Sequence, residues 1–229
     1  MRDKISVIIR SSMLLFLYFS SIAFQYLPFI IFHADINQYQ GNTRLAVYLS
    51  LFSDFIILFI ILCMYKNDIQ REFSIFLKKI RTNLDTGFAC WIAGLIIMFL
   101  SNSILTTVFH AEGANNEIVV RSLIHALPIL MGINVCLMAP FIEEFVFRKT
   151  LKDVFSNPIV FVLLSFLFFG TAHVYGMAKT WIDWLYVIPY GALGGAFALA
   201  YYKTDTIFTS MFFHMFHNLF VLILILLAL

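Results

Sequence analysis

Two adjacent glutamates and an arginine stand inside an apolar run, APFIEEFVFRK, over Ala139–Lys149. On a helix Glu144 and Arg148 are i and i+4, on one face and in the favourable acid-before-base order. That reads as an ion pair. Glu143 is turned about 100° from Glu144 and faces elsewhere. Ionisable groups at membrane depth cost several kcal/mol, so they are kept for function or for internal pairing. Pairing accounts for Glu144 and Arg148 and leaves Glu143 unexplained.

Two more polar sets interrupt the apolar sequence that follows: His173, and His214 with Asn218, one helical turn apart, with Ser210 on the same stripe. A single intramembrane histidine is more often a packed residue than a catalyst; three sets converging reverse that. A carboxylate, two imidazoles and a carboxamide at one depth form a hydrolytic set. A desolvated glutamate takes a proton from water, and one imidazole holds that water. The other, with the Asn amide, donates hydrogen bonds to the developing oxyanion. The same side chains suit zinc, and a metal, if bound, would take Glu143, His173 and His214. Their spacing departs from the helical HExxH pattern, so metal is not favoured and no cofactor is expected.

These residues need helices to position them, and the composition supplies them. The chain of 229 residues is 62% hydrophobic and 12% charged, against roughly 45–50% and 25% in soluble domains. That describes an all-α, polytopic membrane protein. A net charge of +2 gives no indication of nucleic-acid binding. Cys63, Cys90 and Cys136 lie in apolar runs at no metal-ligand spacing and read as small buried hydrophobes.

About seven transmembrane spans are expected: 5–32, 45–64, 87–109, a fourth from near Ser122 through Pro128 and Pro140 to Arg148, then 159–173, 184–202 and 207–229. Ser21-Ile22-Ala23 resembles a signal-peptide cleavage site. The apolar run continues to Phe32, so a retained first helix is expected. A polar loop is expected over Asp35–Arg44, and Asp54 falls midway along the second span. Between Tyr65 and Asn83, Ile69, Phe73, Phe76 and Ile80 recur at helical spacing, with Lys66, Arg71, Lys78, Lys79 and Arg81 on other faces. This predicts one amphipathic helix on the cytoplasmic leaflet. Gly191 and Gly195 have the small-xxx-small spacing that permits close helix contact. With the N-terminus inside, 12 of the 15 Lys and Arg fall on the cytoplasmic side, all but Arg44, Arg121 and Lys179.

Depth can then be compared. Around a turn at Ser156, Glu143 lies 13 residues before and His173 17 after, a height difference of roughly 6 Å. His214 and Glu143 each lie about 10 Å inside the cytoplasmic boundary, by the same rise per residue. Glu143, His173, His214 and Asn218 are therefore expected to converge.

Glu143-Glu144-xxx-Arg148, Phe169-xxx-His173 and His214-xxx-Asn218, in this order and preceded by Ala139-Pro140, resemble the CAAX prenyl endopeptidase type II and bacteriocin-processing (CPBP, Abi) family of intramembrane proteases. The resemblance covers about 122–220. It divides the chain into N-terminal helices with the interfacial helix (1–121) and a protease-like core (122–229). It implies an endopeptidase whose cavity opens to the cytosol and whose substrate is a small membrane-associated peptide. Glu143 would activate water, His173 position it, His214 and Asn218 stabilise the oxyanion, and Glu144 with Arg148 hold the site. His217, outside the family's set, reads as a packing residue. The expected location is the cell membrane, multi-pass, with a cytoplasmic N-terminus. Two other classes remain open: a non-catalytic immunity or scaffold protein, and a small transporter relaying protons through Asp54, Glu143 and Glu144. The latter lacks an inverted repeat.

Overall fold

Apolar runs this long leave the backbone one way to satisfy its own hydrogen bonds in lipid, and the chain takes it. The structure, a computed structural model, describes residues 2–32 and 42–227. Most of the expected polar loop at 35–44 and the last two residues of the final span lie outside them.

Helix α1 (Arg2–Phe19) continues through a 3-10 turn (Ser21–Tyr26) into α2 (Leu27–Phe32), bent by 54°. Then come α3 (Thr43–Met64), α4 (Lys66–Lys78), α5 (Ile80–Phe109), α6 (Asn115–Ala126) and α7 (Pro128–Val154). The chain finishes with α8 (Pro158–Val174), the short α9 (Trp181–Trp184), α10 (Val187–Thr204) and α11 (Ile207–Leu227). Phe59, Phe99, Val108, Ile129 and Ile159 point out of the bundle, as lipid-facing side chains do.

The expected count of seven spans is not reached on length. Five helical segments among the described residues are long and apolar enough to cross, and the bent α1–α2 pair makes a sixth. The expected fifth span, α8, has 17 residues, about 26 Å of helix, short of the roughly 30 Å hydrocarbon core. The fourth span begins at Pro128, later than expected. Leu127 is non-helical (φ −147°, ψ 75°), because a residue before proline is pushed out of the α region. The amphipathic helix forms over Lys66–Lys78 and breaks at Lys79, so Ile80 opens α5.

Helix α10 is the centre of the C-terminal half, with α8 on one side and α5 on the other. Glycines set that closeness. A Cβ on Gly170 would stand 2.4 Å from the Val187 carbonyl oxygen, and one on Gly94 2.6 Å from the Ala196 Cβ. Of the expected pair, Gly191 packs tightly on Phe166 at 2.8 Å, whereas Gly195 has ordinary clearance at 3.6 Å.

One end of the bundle is fastened by charge. Arg10 pairs with Asp68 (2.8 Å) and Asp153 (3.0 Å) and lies 4.1 Å over the Tyr65 ring. Lys149 pairs with Asp153 and reaches Glu72 at 3.8 Å. Glu72, buried on α4, accepts from the Tyr201 hydroxyl (3.1 Å) and from the Ile207 backbone N–H (2.8 Å). A carboxylate there satisfies an orphan donor at the start of α11 and complements its dipole. The amphipathic helix is thus bound to α1, α7, α10 and α11 by its polar face as well as its apolar one. Reporter fusions at Lys79 and Lys152 should both read cytoplasmic; an external reading at either would reverse the orientation drawn from the charge bias.

Candidate active site

Helix α7 carries the two glutamates and is not a regular helix. It widens into π turns at Asn134–Met138 and Phe145–Lys149, on either side of Ala139–Glu144. Pro140 has no N–H and its ring crowds the carbonyl four residues back. The first widening sits where that misfit must be absorbed, with the Ala139 N–H bonded to the Asn134 carbonyl five residues earlier. In the second, the Thr150 N–H reaches the Phe145 carbonyl. Every residue from Phe145 to Leu151 is buried.

The adjacent glutamates part company. Glu144 is fully buried, with Oε1 3.3 Å from Arg148 Nη1 and 2.9 Å from His214 Nδ1. Arg148, also fully buried, lies 4.2 Å over the Phe169 ring and 5.6 Å from the Phe197 ring. Its Nη2 is 3.4 Å from the Gly194 carbonyl. Glu143 keeps 15% of its side chain exposed and has no Lys or Arg in ion-pair range among the described residues. Its Oε2 is 3.5 Å from His214 Nε2. His214 therefore bridges the two carboxylates. An ionised Glu144 accepts, so His214 Nδ1 carries the proton and Nε2 is turned to Glu143.

His173 is held by its own helix and by α10. Its Nδ1 is 2.9 Å from the Phe169 carbonyl, which only accepts, so the proton is on Nδ1 and Nε2 carries the lone pair. The ring is stacked on Tyr190 (4.6 Å, 27°) and tilted against Phe169 (4.3 Å). Asn218 donates one Nδ2 hydrogen to the Val135 carbonyl at 2.7 Å, in the first π turn. Among the described residues nothing takes the other amide hydrogen.

Glu143, His173, His214 and Asn218 all line one cavity of about 690 Å³, within the ~300–1,000 Å³ of small-ligand sites. Glu144 and Arg148 stand behind it as the expected pair. His217 is buried, as a packing residue would be, but it also lines the cavity. Sequence reasoning missed three features: the His214–Glu144 bond across 70 positions, the Tyr190 ring on His173, and the entry of Tyr18 and Asp54 into the cavity wall. Only Asp54 carried a hint, as a charge midway along a span. Among the described residues no three His, Cys, Asp or Glu side chains are grouped as metal ligands.

From Glu143 the cavity runs toward Gly113, Asn116 and the exposed Glu117, where α5 ends and α6 begins. The other end is filled by the Arg10–Asp68–Lys149–Asp153–Glu72 network, none of which lines the cavity. That basic end is the one the charge bias assigns to the cytoplasm. A cytosolic opening and a cytoplasmic N-terminus, both expected from the sequence, therefore do not hold together. The mouth lies at the end opposite the basic residues.

Fold and site define a multi-pass helical membrane protein with a polar, carboxylate-bearing cavity inside its bundle. Residues 125–220 match the model of the "Type II CAAX prenyl endopeptidase Rce1-like" family. A curated protein of Bacillus subtilis (strain 168), "Putative membrane peptidase YdiL", is 27% identical over 141 residues. That is 58% of this chain and 54% of the relative, so the chain spans about half the length of the curated relative it matches. No solved structure matches the chain. Both matches support the CPBP family, which the three motifs had indicated.

Two measurements follow. In a chain whose native cysteines are replaced, Asn116→Cys should react with a membrane-impermeant maleimide added outside intact cells, and Lys152→Cys should not. Labelling in the opposite sense would invert the orientation. Arg148→Ala strands Glu144 as a buried charge and should cost about 3–5 kcal/mol, read as loss of monodisperse protein on gel filtration.

Proposed function

We propose that this protein is an intramembrane endopeptidase that hydrolyses a peptide bond in a small membrane-associated peptide, with Glu143 activating the water. The observation that carries the reading is the different treatment of two adjacent glutamates. Glu144 is sealed and neutralised by Arg148, whereas Glu143 faces the cavity without such a cation. A carboxylate left that way in an apolar surrounding is a poor structural element and a good proton acceptor.

In the proposed reaction Glu143 takes a proton from water and the hydroxide oxygen bonds to the peptide carbonyl carbon. His173, with its lone pair on Nε2, accepts a hydrogen bond from that water and orients it. The carbonyl oxygen becomes an oxyanion, to which the free Asn218 amide hydrogen donates. His214, anchored to Glu144 through Nδ1, joins Asn218 at the oxyanion when its Nε2 carries a proton. The C–N bond then breaks, and the proton on Glu143 passes to the departing amine. Glu144 and Arg148 touch no substrate; they fix the tautomer and tilt of His214. The family-level location is a membrane, and the cell membrane with the N-terminus inside is part of the same proposal.

The test uses the full chain in nanodiscs and a pool of quenched fluorescent apolar peptides. Glu143→Gln keeps shape and removes the proton acceptor, so cleavage should fall ~10²–10⁴-fold. Asn218→Ala should cost about 10²–10³-fold, the worth of one oxyanion donor. A chelator should leave the rate unchanged; complete inhibition reversed by zinc would replace this mechanism with a metal-dependent one. A folded Glu143→Gln protein that still cleaves would end the proposal. One that supports an unaltered cellular phenotype would favour a scaffold role.

A further inference from the structure

At the closed end of the bundle each inward carboxylate has a cation beside it: Asp68 and Asp153 on Arg10, Glu72 on Lys149, with Glu144 on Arg148 at the site. Asp54 has none. It stands midway along α3 and lines the same cavity as Glu143. Among the described residues its one hydrogen bond comes from Asn134 Nδ2, which donates to Oδ2 at 2.7 Å. Among the described residues no Lys, Arg or His lies within ion-pair range of it. A carboxamide satisfies one oxygen and supplies no charge, so Oδ1 keeps its acceptor capacity. The wall around the pair is largely apolar, with Val120, Ile124, Met131 and Leu222. A leucine in place of Asp54 would complete that wall without the several kcal/mol that a mid-membrane carboxylate costs.

We propose that Asp54, held by Asn134, is a substrate subsite that binds a basic side chain three or four residues from the hydrolysed bond. The register comes from α7. Asn134 precedes Glu143 by nine residues, about 14 Å along a helix axis. Asp54, bonded to Asn134, therefore lies on the mouth side of Glu143 and within electrostatic reach of it. An extended peptide advances about 3.3 Å per residue, so about four residues separate a bond at Glu143 from a side chain at Asp54. The flexible stem of Lys or Arg covers a shortfall of one. The ammonium or guanidinium donates to Oδ1 in a charge-assisted hydrogen bond while the apolar wall takes its methylenes. A purely structural Asp54–Asn134 contact joining α3 to α7 would affect stability and leave peptide preference untouched, which separates the two accounts.

The distance to the hydrolysed bond rests on the peptidase reading; binding of the cation does not. Binding is measured first, by fluorescence anisotropy, on the full-length Glu143→Gln chain in nanodiscs. The probes are short labelled apolar peptides differing only in one Lys, acetyl-Lys, Ala or Glu. The Lys peptide should bind about tenfold tighter than the others. Asp54→Asn should bring that ratio to about one, and Asp54→Lys should turn the preference to Glu. Equal affinity for Lys and acetyl-Lys peptides with Asp54 in place overturns the proposal without any further variant, as does a preference that survives Asp54→Asn. On the chain with Glu143 intact, mass spectrometry should find the cut three or four residues from the lysine. Lysine preference without cleavage would retain the subsite and refute the peptidase. Cleavage without lysine preference would do the reverse.

Discussion

An ionised group inside an apolar bundle must have a partner, and Glu144 is where that requirement is met for the site. Its carboxylate holds Arg148 on one side and His214 on the other. Three side chains from α7 and α11 are therefore mutually dependent. Desolvating a charge costs several kcal/mol even after relaxation, so none of the three tolerates the loss of its partner. The rings of Phe169 and Phe197 against the guanidinium extend the dependence to α8 and α10. Glu143 takes no share in this pairing. A neighbour that satisfies the fold is what allows Glu143 to stay available in the cavity.

Close backbone approach is the second condition. His173 reaches the cavity from α8 and its ring is stacked on Tyr190 of α10, a contact that requires the two helices to run nearly in touch. Gly170 and Gly191 permit it, since a Cβ at either would meet α10 or α8 atoms below 3 Å. The π turns of α7 act in the same direction by rotating Glu143, Glu144 and Arg148 relative to the residues that precede them. A regular helix with the same sequence would present a different face to α11.

The two ends of the bundle are built from opposite materials. At the basic end, ion pairs and the buried Phe145–Leu151 segment fill the space between the described helices, and none of these side chains lines the cavity. At the other end, the connection between α5 and α6 leaves the cavity open past Glu117. The distribution of charge that favours one membrane orientation is thus also the distribution that seals one end.

Much of this was legible in the sequence because lipid makes residue type a strong constraint. Long apolar runs must be helices, and Glu144-xxx-Arg148 and His214-xxx-Asn218 fall on shared faces through the fixed helical period. Equal depth followed from rise per residue, which is why Glu143, His173, His214 and Asn218 were expected together and line one cavity. Local rules also hid features. The break at Leu127, the short α8 and the split between α4 and α5 depend on proline sterics and on packing that a hydropathy pattern does not register. Contacts between positions far apart were out of reach altogether. Glu144 with His214, Asp54 with Asn134 and Arg10 with Asp153 join helices whose rotation about their own axes is fixed only when the bundle closes. For the same reason the sequence fixes the depth of the candidate site, and only the packed helices decide from which end it is reached.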